Sequence, residues 1–273
     1  MFTVGSLFSG VGGLDLGLER AGVGRVVWQC ESDPAARRVL ARHWPGIPIH
    51  PDVREVSRAT VAPVDILCGG FPCQDVSVAG LGAGLDGARS GLWHEFARVI
   101  EELRPKVVVV ENVAALVARG LDRIVARLRG LDYRVAARLL RASDVGAPHR
   151  RERIFVVAYA ADGRLAQWSR TGCDHDTERS PADRSGGHVW PPGPDDRDGW
   201  RDYLRTHPGR EPAVPNKHGR PWLNPRFAEA LMGFPAAWTV FEPRKDRLRC
   251  LGNAVVPQVS EEVGRFVVEL LQP

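Results

Sequence analysis

A cysteine, a glutamate and two arginines stand in this chain where each ends or opens an apolar run. Cys73 lies in Phe71-Pro72-Cys73-Gln74, just beyond Val64-Asp65-Ile66-Leu67-Cys68-Gly69-Gly70. That run has the length and bounding glycines of a buried parallel strand. Cys73 is therefore expected in the loop past the strand's carboxyl end, where ligands and chemistry collect in open α/β sheets. Pro72 fixes the backbone before the sulfur, which suits a thiol that must be aimed. Glu111 and Asn112 follow four consecutive valines, Val107 to Val110, which read as a central parallel strand. His149-Arg150-Arg151-Glu152-Arg153 leads into the strand Ile154-Phe155-Val156-Val157-Ala158. On one rim these groups would supply a nucleophile, a proton donor and an anchor for a polar ring. Taken singly, each has a plain reading: a small hydrophobe, a solvated rim acid, a charged turn.

The amino terminus suggests a nucleotide-bearing cofactor. Thr3 to Phe8 reads as a first strand, Ser9-Gly10-Val11-Gly12-Gly13 as a glycine-rich turn, and Leu14 to Ala21 as the helix it opens. Glycines there permit positive φ and close approach of a ligand to the backbone. A second strand, Val26 to Cys30, ends at Glu31, the place for an acid that binds a ribose diol. Asp52-Val53 stands where a carboxylate can meet an adenine amino group; the competing reading of Asp52 is a helix cap or turn residue.

These motifs, in order, resemble those of the DNA (cytosine-5) methyltransferases. The resemblance is carried by Phe8-Ser9-Gly10-Val11-Gly12-Gly13, Gly70-Phe71-Pro72-Cys73-Gln74 with Ser77, Glu111-Asn112-Val113, Arg151-Glu152-Arg153 and Gly252-Asn253-Ala254-Val255. Arg226-Phe227 through Met232-Gly233-Phe234-Pro235 to Trp238 looks like that family's late motif beside its recognition region. Nearly the whole chain is covered, apart from roughly Arg164 to Asn224. The resemblance implies S-adenosyl-L-methionine as cofactor and Cys73, Glu111, Arg151 and Arg153 as the catalytic set. It implies cofactor contacts from Phe8, Ser9, Gly10, Gly12, Gly13, Glu31, Ser32, Asp52, Val53, Gly70, Pro72, Leu92, Asn253 and Ala254. Gln74 and Ser77 would touch DNA, in a stretch (Gln74 to Ser90) with enough glycine to close over a flipped base. Three positions depart from the family pattern. Ser6 replaces an acid, with little consequence expected; Ser32 replaces a bulkier residue against the adenine; His149 replaces a glutamine.

Composition agrees with an enzyme that handles a polyanion. The formal net charge is +4, with 34 arginines to three lysines. Ten arginines face four acids between Arg119 and Arg153, part of them a helix whose apolar face is Leu121, Ile124, Val125 and Leu128. The five cysteines show neither a Cys-x-x-Cys pair nor a secreted framework, and Cys173 with His175 is too little for zinc, so no metal is expected. No run reaches transmembrane length and no signal peptide opens the chain, which predicts a cytoplasmic protein without a membrane partner.

Strands and helices alternate from Met1 to about Ala161, the texture of a doubly wound α/β sheet. The family implies a mixed sheet of the Rossmann-like S-adenosylmethionine type, with residues 1–163 and 245–273 forming the catalytic and cofactor domain. Residues 164–244 would form a small irregular target-recognition domain. From Gly163 to Pro225 the period disappears, and the charge is nearly balanced: ten basic and nine acidic residues between Arg164 and Pro225. Asn253 to Leu271 reads as one closing helix. The expected partner is double-stranded DNA, for a monomer with no obligate protein partner and with room for a companion restriction endonuclease. Two other classes share these residues: an RNA or transfer-RNA cytosine methylating enzyme of the same fold, and a non-catalytic nucleic-acid-binding module.

Overall fold

A computed structural model describes residues 1–72, 91–160, 185, 187–216, 218–241 and 243–271. One sheet holds seven strands: β1 (Phe2–Leu7), β2 (Gly24–Cys30), β3 (Ile49–His50), β4 (Ile66–Gly69), β5 (Val107–Val113), β6 (Tyr133–Leu140) and β7 (Arg153–Ala160). Their order in space is β3-β2-β1-β4-β5-β7-β6. The chain moves outward from β1 through β2 to β3, then returns to the other side of β1 for β4. The crevice between the carboxyl ends of β1 and β4 is thus the topological switch point.

The valine run is central, as its apolarity requires, but it is parallel on one side only. β5 pairs parallel with β4 and antiparallel with β7. This reversal matters for chemistry: β7 starts where β5 ends, with Val113 opposite Arg153. A basic cluster that precedes a strand thereby reaches the same rim as an acid that follows one.

Both sheet faces are covered, and alternate residues serve opposite cores. Cys68, Val107, Val109 and Phe155 join one face with Leu14 and Leu18 of α1 (Gly13–Arg20) and Val263, Phe266 and Val267 of α9 (Pro257–Leu271). Leu67, Val108, Val110 and Val156 join the other with Phe96 and Ile100 of α3 (Leu92–Leu103) and Ile124 and Leu128 of α5 (Leu121–Gly130). Val107 to Val110 are at most 1% exposed, and each such side chain contributes roughly 1.5–3 kcal/mol relative to exposure. Helix α2 (Pro34–His43) starts at Asp33, whose carboxylate accepts from the Ala35 N–H at 2.9 Å. The short α4 (Leu116–Arg119) precedes α5.

The carboxyl end corrects the expected single closing helix. Asn253 ends α8 (Arg244–Asn253), the chain extends at Ala254, and α9 starts only at Pro257. Proline cannot donate to the preceding turn and disfavours helix in the residue before it, so the break falls where Val256-Pro257 stands. The stretch expected to be irregular also holds regular structure: α6 (Arg197–Thr206) and an antiparallel hairpin of β8 (Ala213–Pro215) with β9 (Pro221–Leu223). Helix α6 buries only Tyr203 and is capped by Asp196, which accepts from the Gly199 N–H at 2.8 Å. A helix with one buried side chain leaves little apolar period to read.

Helix α7 (Pro225–Leu231) is capped by Asn224 and runs toward the catalytic core. Ala228, Met232, Phe234 and Trp238 pack into the α1–α9 face, inside the 164–244 span assigned to the small domain. Three imidazoles fasten this stretch from outside. The Nε2 atoms of His43, His149 and His188 stand 2.8, 2.7 and 2.9 Å from the carbonyl oxygens of Trp238, Leu231 and Ala230. A carbonyl accepts only, so each imidazole donates from Nε2. The His43 ring also stacks on Trp238 with centroids 3.5 Å apart.

Candidate active site

The glycine turn leaves β1 at the switch point. The strand ends at Leu7, one residue early, because Phe8 takes a positive φ of 53°, followed by Gly10 at 56° and Gly12 at 79°. An added Cβ at Gly10 would meet nothing within 4 Å, so that backbone opens onto free space. At Gly13 it would collide with the Val255 carbonyl, so this glycine allows the start of α1 to touch the α8–α9 junction. The cleft between them is lined by Ser6 to Gly10, Gly13, Leu14, Gly69, Gly70, Glu111 and Asn253 to Val255, with about 360 Å³ of atom-free space.

Of the predicted cofactor contacts, Phe8, Ser9, Gly10, Gly13, Gly70, Asn253 and Ala254 line this cleft. Glu31 stands at its margin: its carboxylate accepts from the Gly10 N–H at 2.7 Å and the Asp33 N–H at 2.8 Å. Burial pushes the Glu31 carboxyl up, against the pull of those backbone bonds. Ser32 is exposed and its carbonyl accepts from Arg37. Asp52 caps a short turn at Val53–Glu55 and pairs with Arg54 at 2.8 Å, the capping role weighed from sequence. Val53 is buried in the second core, Gly12 is the amino-terminal cap of α1, and Leu92 opens α3. Pro72 is the last residue described before the gap at 73–90; Cys73, Gln74 and Ser77 lie outside the described residues.

Glu111 and Arg153 meet on the rim. Glu111 is opposite Phe155 and Arg153 opposite Val113, which makes them diagonal neighbours on one sheet face. Arg153 Nε stands 3.1 Å from Glu111 Oε1, with side chains 21% and 11% exposed. Glu111 Oε2 reaches over Gly70, where an added Cβ would stand 2.6 Å away. Gly70 is therefore required for the carboxylate to lie against the strand end that leads to Cys73. Burial raises the Glu111 carboxyl above its usual range, opposed first by Arg153 and then by Arg151. Asn112 extends the link: its amide donates to the Phe71 carbonyl at 3.0 Å, which ties the end of β5 to the loop entering Pro72-Cys73.

Arg151 does something the sequence left open. Its Nη2 donates to the carbonyls of Gly252 and Ala254, each at 2.7 Å, which satisfies the end of α8. Burial pushes this guanidinium down to about 10, with Arg153 adding repulsion. Arg151 thereby braces the loop that lines the cleft.

Sequence reasoning missed a buried polar chain beneath the turn. Asp15, 0% exposed, accepts from Ser6 Oγ at 2.6 Å, from Gln29 Nε2 at 2.7 Å and from Cys68 Sγ at 3.7 Å. Ser9 Oγ in turn donates toward Ser6 Oγ at 2.8 Å. A signal was present: Asp15 falls with Leu14 and Leu18 on the buried face of α1, where a carboxylate needs partners.

Comparisons with known proteins speak to family and to fold. The family model described as C-5 cytosine-specific DNA methylase matches residues 2–183 and 195–269. The type II methyltransferase M2.BsuMI of Bacillus subtilis is 33% identical over 95% of this chain and 73% of its own length. M.HhaI of Haemophilus parahaemolyticus is 36% identical over 57% of this chain and 48% of its own length. The chain thus aligns with about half of several of these relatives. Among solved structures, a putative DNA modification methyltransferase encoded within an E. coli prophage superposes with a TM-score of 0.70 at 22% identity, covering 99% of both chains. The S. pombe Dnmt2 methyltransferase gives 0.73 at 17% identity, covering 100% of both chains. Such structural likeness speaks to the fold.

Proposed function

Because the chain belongs to the C-5 cytosine-specific DNA methylases, we propose that it moves a methyl group from S-adenosyl-L-methionine to C5 of a cytosine in a short duplex sequence. The observation that carries this reading is the pairing of buried Glu111 with half-buried Arg153 on the rim of the glycine-turn cleft. A sulfonium cofactor fits these residues. Gly10 opens onto free space, Glu31 keeps acceptor capacity for ribose hydroxyls beyond its two backbone bonds, and Asn253 and Ala254 close the far wall. When bound, S-adenosylmethionine supplies an electrophilic methyl group.

The chain's own residues have to make C5 nucleophilic. Cys73, as a thiolate, adds to C6 of the base and pushes an electron pair toward C5. An ordinary cysteine thiol has a pKa near 8.5, so the site or the bound base must favour the thiolate. Glu111, its carboxyl raised by burial, donates a hydrogen bond to N3 and stabilises the charge that develops there. Arg153, held against Glu111, anchors the exocyclic O2 of the base. After methyl transfer the C5 proton leaves to a base, the electron pair returns, and the C6–sulfur bond breaks. A stacked base is inaccessible to this set, so the target is extruded at a cost of roughly a few kcal/mol. Gln74 and Ser77 then lie beside the opened duplex. Residues 1–163 and 245–273 carry the chemistry, and 164–244 the recognition. The protein acts as a cytoplasmic monomer, and the type II names of its relatives suggest a companion endonuclease.

Duplex DNA carrying 5-fluorocytosine tests the reading, since fluorine at C5 cannot leave as a proton does. The parent with S-adenosylmethionine is expected to form a denaturation-resistant complex, and Cys73→Ala to form none while still binding the cofactor. Trapping on transfer RNA instead of duplex DNA would move the substrate to RNA. Normal methylation by Cys73→Ala would overturn the mechanism.

A further inference from the structure

The buried chain under the glycine turn ends at a residue that faces the cofactor cleft. We propose that Asp15 is a positioning residue for the cofactor: through Ser6 it fixes which way the Ser9 hydroxyl points, so that Ser9 offers a lone pair to a donor group of the bound cofactor. This rests on the cleft being the S-adenosylmethionine site.

The argument follows the hydrogens. An ionised carboxylate accepts only, so Ser6 Oγ, 2.6 Å from Asp15 Oδ1, must donate to it. That leaves Ser6 Oγ as an acceptor for Ser9 Oγ at 2.8 Å. Two carbonyls, Ser6 O at 3.2 Å and Cys30 O at 3.4 Å, also draw the Ser9 proton inward. With its one hydrogen turned away from the cleft, Ser9 presents oxygen lone pairs to whatever lies there. Protonating Asp15 supplies a hydrogen at the other end of the chain. Ser6 can then accept from Asp15 and donate to Ser9, and the Ser9 hydroxyl is freed to point outward as a donor. The two protonation states of one buried acid thus differ in how firmly the Ser9 proton is held away from the ligand, since only the two longer carbonyl contacts remain when Asp15 is protonated.

Ser6, which departs from the acid in the family pattern that the chain resembles, donates to a carboxylate nine residues on, carried by α1.

Several groups surround Asp15. Burial raises its carboxyl to about 6, opposed by its bonds to Ser6 and Gln29 and reinforced by the charge of Glu19 on the same helix. The Cys68 thiol on β4 is held protonated well above its usual range. Glu31 beyond β2 and Glu111 beyond β5 are also raised, and Glu261 on α9 is paired with Arg265 at 2.6 Å. A pH dependence of cofactor binding therefore has more than one source, and Asp15 must be isolated by substitution.

Asp15→Asn does this. Its amide oxygen still accepts from Ser6, so Ser9 keeps its orientation, but nothing at position 15 titrates. Gln29 Oε1, buried and unpartnered, is on hand to accept from the new amide if the glutamine turns over. Binding of S-adenosylhomocysteine is measured by titration calorimetry from pH 7.5 to 5.5. With Asp15 titrating near 6, roughly a quarter of molecules keep it ionised at pH 5.5, so its share of the affinity loss is roughly fourfold. Asp15→Asn is expected to bind within about twofold of the parent at pH 7.5 and to lack that share of the loss. The reciprocal exchange Ser6→Asp with Asp15→Ser should restore the dependence. Should Asp15→Asn fail to fold, Ser9→Ala gives the same reading, because it removes the reporting hydroxyl and should lack the same share of the loss. Equal pH profiles for the parent and the variant overturn the inference alone. A parent that binds no S-adenosylhomocysteine at any pH overturns the cofactor assignment and the inference with it.

Discussion

At the scale of single residues, Glu111 is held between two demands. Its desolvated carboxyl is raised while Arg153 keeps it anchored, so charge and position can be separated by substitution. Glu111→Gln retains the size and a hydrogen-bond donor but carries no exchangeable acid. Turnover is expected to fall by roughly 10²- to 10⁴-fold, with S-adenosylhomocysteine affinity unchanged; single-turnover methylation checks this, and a loss below about threefold would exclude an acid role. Glu31→Ala should act on the opposite quantity. Losing a charge-assisted bond costs on the order of 1.5–3 kcal/mol, or roughly ten- to a hundredfold in cofactor affinity. It also frees the Gly10 and Asp33 N–H groups from their present acceptor, so the melting temperature should drop as well. Asp15 has a signature in stability of its own. Its folded carboxyl lies near 6 against an ordinary 3.8, so the stability held by the protonated form is complete below about 4 and lost as pH rises through 6. That span corresponds to roughly 3 kcal/mol. In urea titrations from pH 4 to 7, the difference between parent and Asp15→Asn should grow in favour of the variant as pH rises.

At the scale of elements, strand ends do the positioning, and glycine decides how closely they meet. Gly70→Ala would place a methyl group 2.6 Å from Glu111 Oε2, closer than carbon and oxygen pack. The carboxylate must swing off the rim, so methylation should collapse while far-ultraviolet circular dichroism stays unchanged; an active alanine variant would show that the Glu111 position is not needed. The apolar runs of β1, β2, β4, β5 and β7 were legible because strands buried on both faces have no polar alternation to blur them. The direction of β7 was not, because an apolar run does not say which way it lies. Yet that direction brings Arg153 beside Glu111. Helix α6 and the β8–β9 hairpin escaped detection because they bury little: Tyr203 is the buried residue of α6, and β9 is exposed throughout. Asp15 was passed over for another reason, since only the fold reveals that three donors converge on it.

At the scale of the molecule, the proposed division between recognition and chemistry is open to a direct exchange. Exchanging the segment from about Arg164 to Asn224 for that of a methylase with another site should move the methylated cytosines to the donor's site, read by bisulfite sequencing. An active chimera that keeps the original site would assign readout elsewhere. The segment after it, Ala230 to Trp238, is held by the three imidazoles of His43, His149 and His188. Burial lowers all three from 6.5. Groups kept neutral in the fold but protonated when unfolded give stability that is present above about 6.5 and lost as pH falls through their folded values. Denaturation midpoints should therefore decline from pH 7.5 to 5, and His149→Gln should make the decline shallower.

The cleft has one more property, which concerns time. Its two walls, Ser6 to Gly13 and Asn253 to Val255, are drawn from stretches some 240 residues apart in the chain. A ribosome adding about 5–20 residues each second needs on the order of ten to fifty seconds to travel from one wall to the other. Throughout that interval the glycine turn exists without the surface that completes it. The Arg151 clamp likewise waits for the carbonyls of Gly252 and Ala254. A half-made chain therefore lacks the complete cleft, and the site forms only once both walls have been made.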